Sequence, residues 1–174
     1  STPIVHTSNY YFNNTREVYD FMKAKSEGKL LREHEYGRYG NPTQTECERK
    51  LAAIEGAERA VLFSSGMSAV ILTIMTFMRR DGHIIFTSDC YRQTRDFASN
   101  LLAEFGIQVS LVDPTADAIE KAIKPNTNII FTESPTNPYL RCLDLAAVVK
   151  VAKKHKVMTI IDATRHSADL LLGV

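Results

Sequence analysis

Five short apolar runs in the chain each end in residues that can do chemistry. The first is followed by Ser64, Ser65, Gly66 and Met67, the second by Asp89, Cys90, Tyr91 and Arg92, and the third by Asp113 and Pro114. After the fourth come Glu133, Ser134, Pro135, Thr136, Asn137 and Pro138, and after the fifth come Asp162 and Thr164. Ser-Ser-Gly-Met opening a helix can cradle a phosphate. Free N–H groups and the helix dipole favour an anion there, and Gly66 lets it approach closely. The same residues also make an ordinary strand–helix turn with a serine cap. Tyr91 can stack on a flat ring, or it is simply the first apolar residue of its helix. Asp162 ends an apolar run, where a carboxylate is poorly solvated and wants a cationic ligand group or a protein donor. Two prolines stiffen "ESPTNP", a loop that either aims Asn137 or merely turns the chain.

These residues need a scaffold that brings them to one edge. From Arg59 onward, apolar runs alternate with helical patterns. "AVLFSS", "HIIFTS", "IQVSLVD", "TNIIFTES" and "VMTIID" predict five strands. "GMSAVILTIMTFM" is apolar all round and predicts a buried helix. "YRQTRDFASNLLAEF" predicts an amphipathic helix with Phe97, Leu101, Leu102 and Phe105 inward. "TADAIEKAIK" turns Ile119, Ala122 and Ile123 inward, and "LDLAAVVKVAKKH" supplies a further helix. Such alternation argues an α/β fold, three-layer αβα, with a mainly parallel sheet. In such sheets ligands bind beyond the C-terminal strand ends, which is where the polar residues gather. Upstream, "NNTREVYDFMKAKSEGK" predicts a helix capped by Asn14 or Thr15, with Val18, Phe21 and Met22 as its apolar stripe. "HEYGRYGNPT" breaks regular structure. Thr43 or Thr45 caps the next helix, which runs through Leu51 and Ile54 to Gly56.

Composition narrows the partners. The chain has 174 residues, 44% hydrophobic and 24% charged, as a globular protein does. Its net charge of +1 and lack of a long basic run give no sign of nucleic acid. No apolar run reaches the ~20 residues of a membrane span. "STPIVHTSNYYF" lacks the features of a signal peptide. Cys47, Cys90 and Cys142 are scattered, without zinc or Cys-x-x-Cys spacing, so no metal site and a reducing, cytoplasm-like compartment are expected.

Neither a Walker pattern nor Gly-x-Gly-x-x-Gly competes for the cradle. A phosphate cradle, a stacking aromatic, an amide and a carboxylate able to grip a protonated ring nitrogen together describe a pyridoxal-phosphate (PLP) site. The segments "YGRYGNPT", "EGAERAVLFSSGMSA", "DCYRQTR", "FTESPTNPYLRCLDL" and "IIDAT" resemble the Cys/Met-metabolism, or transsulfuration, family of PLP enzymes. "DCYRQTR" and "FTESPTNPYLRC" look most like its cystathionine γ-synthase branch. The resemblance implies a type I aminotransferase-like large domain over residues 59–174. It makes residues 1–58 an arm and helices that serve a neighbouring subunit's site. It also implies a homotetramer, a dimer of dimers with shared sites, acting on small amino-acid substrates in the cytoplasm, or in a plastid if the source is a plant. By the same resemblance Gly66 and Met67 give N–H groups to the cofactor phosphate, and Tyr36 and Arg38 reach the neighbour's phosphate. Tyr91 stacks on the ring and counts as catalytic. Asp162 pairs with the ring nitrogen, while Asn137 and Thr164 orient the ring. Ser167 touches the phosphate if "HSA" is the family's His-Ser-Ala-Thr-Lys motif. The implied reaction is γ-replacement on an activated homoserine ester, with cysteine adding to give cystathionine. The γ-lyases and sulfhydrylase of the family are the alternatives.

The chain departs from the family at its end. "RHSA" follows Thr164 directly, the Thr-Lys of the motif is missing, and "DLLLGV" comes next. Lys150, Lys153, Lys154 and Lys156 precede a strand of ~15–20 Å, at the wrong end of the sheet, and Lys121 and Lys124 precede another strand. Two expectations follow. Either segments after Thr164 and after Ala168, including the lysine, belong to a longer enzyme, or the chain is an inactive fragment or assembly partner.

Overall fold

The computed structural model describes residues 3–166. The chain divides into two compact units, Ser1–Leu62 and Phe63–Val174. In the first, α1 spans Thr15–Ser26 and α2 spans Pro42–Ile54. Asn14 caps α1 by accepting the Glu17 N–H at 2.9 Å. Asn41, rather than Thr43 or Thr45, caps α2. Pro42 at the first helical position explains the choice, because its fixed φ starts the helix immediately after Asn41. Phe21 and Ala24 are the buried residues of α1, whereas Val18 and Met22 are exposed.

The second unit is a parallel sheet covered by helices. Its elements are α3 (Gly66–Phe77), β1 (His83–Thr87), α4 (Arg92–Asp96), β2 (Gln108–Val112), α5 (Ala116–Ala122), β3 (Thr127–Glu133), α6 (Leu145–His155) and β4 (Met158–Asp162). The strand order is β2-β1-β3-β4, with every pairing parallel. Alternate residues of a strand face opposite sides, and the two cores show this. Ile84, Phe86, Ile129 and Phe131 pack on one face with Ile74 of α3 and with Phe97 and Leu102. Ile85 and Ile130 pack on the other with Ile119 of α5 and with Val148 and Ala152 of α6. Burial on both faces is what makes the central strands read as unbroken apolar runs. The αβα layering expected from the sequence is therefore present.

Three expectations are corrected. "AVLFSS" forms no strand among the described residues. A strand needs a hydrogen-bonding neighbour, and no described strand pairs with this segment, whose Val61, Leu62 and Phe63 are exposed. The sheet therefore has four strands, not five. Second, α3 is not buried all round. Val70, Ile71, Ile74 and Met78 face the sheet, while Leu72 and Phe77 stay 50% and 49% exposed. One sheet face covers only one side of a helix. Third, α4 continues as a π-helical turn over Phe97–Leu102. Its i→i+5 bonding stacks Leu102 over Phe97, so both are buried. Leu101 and Phe105 are thereby turned outward and are exposed.

At the N-terminal end of the sheet, His83 is fully buried between two hydroxyls. Its Nδ1 hydrogen-bonds Thr127 Oγ1 at 2.7 Å and its Nε2 hydrogen-bonds Ser110 Oγ at 2.9 Å. Burial, assisted by the Lys124 charge, lowers its pKa from 6.5 to about 4. The folded chain thus takes up this proton less readily than the unfolded chain, so stability rises with pH across that window. The melting temperature should hold above pH 6.5 and fall as pH drops toward 4. His83→Gln, which keeps two hydrogen-bonding ends without a charge, should flatten that slope. Equal slopes for the two proteins in calorimetry would count against the assignment.

Candidate cofactor site

A cavity of about 470 Å³ opens at the C-terminal edge of the sheet, a size usual for small-molecule sites. Its wall includes Gly66, Met67, Tyr91, Glu133, Asn137, Asp162, Thr164 and Arg165. Six of the residues expected for the cofactor are thus brought together by four different segments. Tyr36 and Arg38 belong to the first unit and are not among the lining residues. Arg38 is exposed, with its guanidinium carbon 5.0 Å from the Tyr36 ring centroid and 5.5 Å from that of Tyr39. Ser167 lies outside the described residues.

The start of α3 has the chemistry of an anion cradle. Ser65 caps it by accepting the Ser68 N–H at 3.1 Å, and the Ala69 N–H bonds to the Ser65 carbonyl. The Gly66 and Met67 N–H groups come before the first intrahelical bond and remain unused by the helix. A Cβ built on Gly66 would meet no protein atom within 4 Å. The glycine thus leaves open space at the wall, and the protein does not itself need that space.

Asp162 ends β4 facing this wall. Its Oδ1 accepts the Thr164 N–H at 3.0 Å and also the Thr164 hydroxyl. Thr164 thereby orients the carboxylate and leaves Oδ2 available for a cationic group. Asn137 is held by its own N–H, which donates to the Asp89 carbonyl at 3.4 Å. Its carboxamide makes no hydrogen bond among the described residues. Tyr91 immediately precedes α4 and is 44% exposed, which leaves it accessible to a ligand.

Glu133 stands among the residues that follow the fourth apolar run, where the sequence assigns it no role. It is only 2% exposed, and its Oε2 accepts the Tyr91 N–H at 2.6 Å. Burial pushes its carboxyl up; the Tyr91 N–H pulls it down, and the neighbouring Asp162 charge pushes it up again. A glutamate closing the run "TNIIFTE" was the available signal, since a charge inside a buried strand demands a partner.

No lysine is among the residues lining the cavity. Lys154 pairs with Glu120 at 2.6 Å, and Lys124 reaches Gln108 at 3.4 Å at the start of β2. These lysines stand toward the N-terminal end of the sheet, as the sequence predicts. Among the described residues no cluster of three or more His, Cys, Asp or Glu could hold a metal ion. Nor is any described helix long and apolar enough to cross a membrane.

The profile of the family described as Cys/Met metabolism PLP-dependent enzyme matches residues 1–172. Cystathionine gamma-synthase 1 of Nicotiana tabacum, a chloroplastic protein by its name, is 43% identical over 94% of this chain and 30% of its own length. Cystathionine beta-lyase MetC of Bacillus subtilis is 34% identical over 94% of the chain and 39% of its own. A crystal structure of a Campylobacter jejuni protein described as an O-acetylhomoserine (thiol)-lyase superposes with a TM-score of 0.82. It is 29% identical, covers 94% of this chain and 40% of its own, and carries a pyridoxyl-lysine phosphate. The chain thus spans about a third of the length of the curated relatives it matches. With the αβα fold, these likenesses mean that the chain belongs to the Cys/Met metabolism family of PLP-dependent enzymes.

Proposed function

We propose that the chain forms the cofactor-binding core of an enzyme of γ-replacement, which joins cysteine to an activated homoserine ester to give cystathionine. The observation that carries this reading is the convergence of Gly66, Met67, Tyr91, Asn137, Asp162 and Thr164 on one cavity at the strand ends. The 43% identity to two plant cystathionine γ-synthases, against 34% to 39% for relatives named as lyases, supports γ-replacement over elimination.

Bound PLP supplies an electron sink for charge developing on the substrate's carbons. The residues of the chain hold and tune it. Gly66 and Met67 would donate their free N–H groups to the phosphate, at the positive end of α3. The second oxygen of Asp162 would accept from the ring nitrogen and keep it protonated. Tyr91 would stack on the ring, and the Asn137 carboxamide would help orient it. Thr164 acts through Asp162. Ser167, outside the described residues, would touch the phosphate if "HSA" is the family's His-Ser-Ala-Thr-Lys motif. The exposed guanidinium of Arg38, stacked with Tyr36, suits phosphate held by a neighbouring subunit of a homotetramer. The substrates are small amino acids, and the compartment is the cytoplasm, or a plastid in a plant.

Proton transfer needs a lysine, which in this reading enters between Ala168 and Asp169 in a longer chain. The cavity wall without lysine favours a second reading, an inactive fragment or assembly partner that completes a neighbour's site through Tyr36 and Arg38. Borohydride reduction after PLP addition, followed by peptide mapping, separates the two. A pyridoxyl-lysine mapped after Thr164 supports the enzyme, and cofactor bound without any reduced lysine supports the partner. No PLP binding at all sinks the enzyme reading.

Gly66→Ala tests the cradle. The built Cβ touches no protein atom, so the melting temperature should stay or rise. The added methyl should lower PLP affinity about tenfold, or ~1.4 kcal/mol. Unchanged affinity in a spectroscopic titration would move the phosphate elsewhere.

A further inference from the structure

Tyr91 stands where the chain leaves β1 and enters α4, and that passage is gripped from two sides. On one side the Glu133 carboxylate, from the end of β3, accepts the Tyr91 N–H at 2.6 Å. On the other side Arg95 Nη1 donates to the Ser88 carbonyl at 2.8 Å and to the Cys90 carbonyl at 2.9 Å. No side chain caps α4 at Tyr91. The first turn closes only through the Thr94 and Arg95 N–H groups, which bond to the Tyr91 carbonyl at 3.0 and 3.2 Å. The direction in which the Tyr91 ring leaves the backbone therefore depends on the two charged side chains.

Each of the pair is itself fixed. Glu133 is buried and lies opposite Asp162 in the β3–β4 register. A buried carboxylate with one strong donor has few other places to go. Arg95 spends its fork on main-chain carbonyls of the loop, not on a carboxylate.

We propose that Glu133 is a positioning residue, and that with Arg95 it clamps the 88–91 loop so that the Tyr91 ring is held over the cofactor cavity. Glu133 then acts on the cofactor through Tyr91 and not by touching the reacting atoms. The part of this proposal that concerns cofactor rests on the cavity being a PLP site; the clamp itself does not.

Hydrogen exchange in cofactor-free protein tests the clamp first. Glu133→Leu should speed exchange at least tenfold in peptides covering residues 88–95, with little change in β3. Glu133→Gln keeps an acceptor for the Tyr91 N–H and should restore slow exchange. PLP titration tests the consequence. Glu133→Leu should weaken binding several-fold in the parent, but should add nothing in a Tyr91→Ala background, because the two act in series. If Glu133→Leu does not fold, Arg95→Gln carries the same test from the other side. Wild-type exchange in the folded variants, or additive losses in the double variant, would overturn the proposal. A parent protein that binds no PLP would sink the cofactor reading instead and leave exchange to decide the clamp.

Discussion

Parallel pairing of β3 with β4 sets the geometry on which the rest of the site depends. The register runs from Ile129 opposite Met158 to Glu133 opposite Asp162. Residues opposite one another in a ladder share a face, so the two carboxylates arrive together at the same strand ends. The Ser134 N–H donates to the Asp162 carbonyl at 3.1 Å, which carries the pairing one step past the strands. Two adjacent carboxylates repel, and the structure separates their roles by giving each its own donors. Glu133 is withdrawn from water onto the Tyr91 amide, whereas Asp162 is turned by Thr164 and keeps one oxygen for the cavity. A slip of one residue in either strand would send that strand's carboxylate to the opposite face and part the pair.

The same cavity wall also carries charge of the opposite kind. The two unused amides at the start of α3 make a positive pole without a side chain, and Arg165 adds a formal charge at the wall. A site with an acidic side and an anion-seeking side suits a ligand that carries a cationic ring and a phosphate. That match of charges is independent of the family likeness. The core makes it durable, because the strand ends are fixed by Ile84, Phe86, Ile129 and Phe131 on one face and by Ile85 and Ile130 on the other.

The sheet was legible in the sequence because its central strands are buried on both faces and read as continuous apolar runs. The same signal misled at "AVLFSS", where the composition is right but no described strand offers a ladder. It misled again in α3, because an all-apolar helix does not say which of its sides meets the sheet. Leu101 and Phe105 were misplaced since a 3.6-residue period cannot foresee a π-helical turn. At the site, Gly66, Met67, Tyr91, Asn137, Asp162 and Thr164 were found because each follows an apolar run. Glu133 also follows such a run, but nothing near it in the sequence gives it a role. Its meaning depends on Tyr91, 42 positions earlier, a contact only the folded sheet creates.

The two ends of the sheet have opposite electrostatic characters. The N-terminal end holds a neutral buried histidine between hydroxyls, with Lys124 and Lys154 nearby in ion pairs and hydrogen bonds of their own. The C-terminal end holds a buried glutamate, a half-buried aspartate, free amides and an open cavity. A parallel sheet keeps these ends apart by the length of its strands, and a lysine side chain cannot cross that distance. Every lysine in the helices leading into β3 and β4 is therefore excluded from the cavity by topology, not by the details of side-chain packing. What the described residues build is a cavity whose free amides and half-buried aspartate suit a phosphorylated, protonated ring. The group that would move protons has to reach it from a direction that the β2-β1-β3-β4 sheet leaves open.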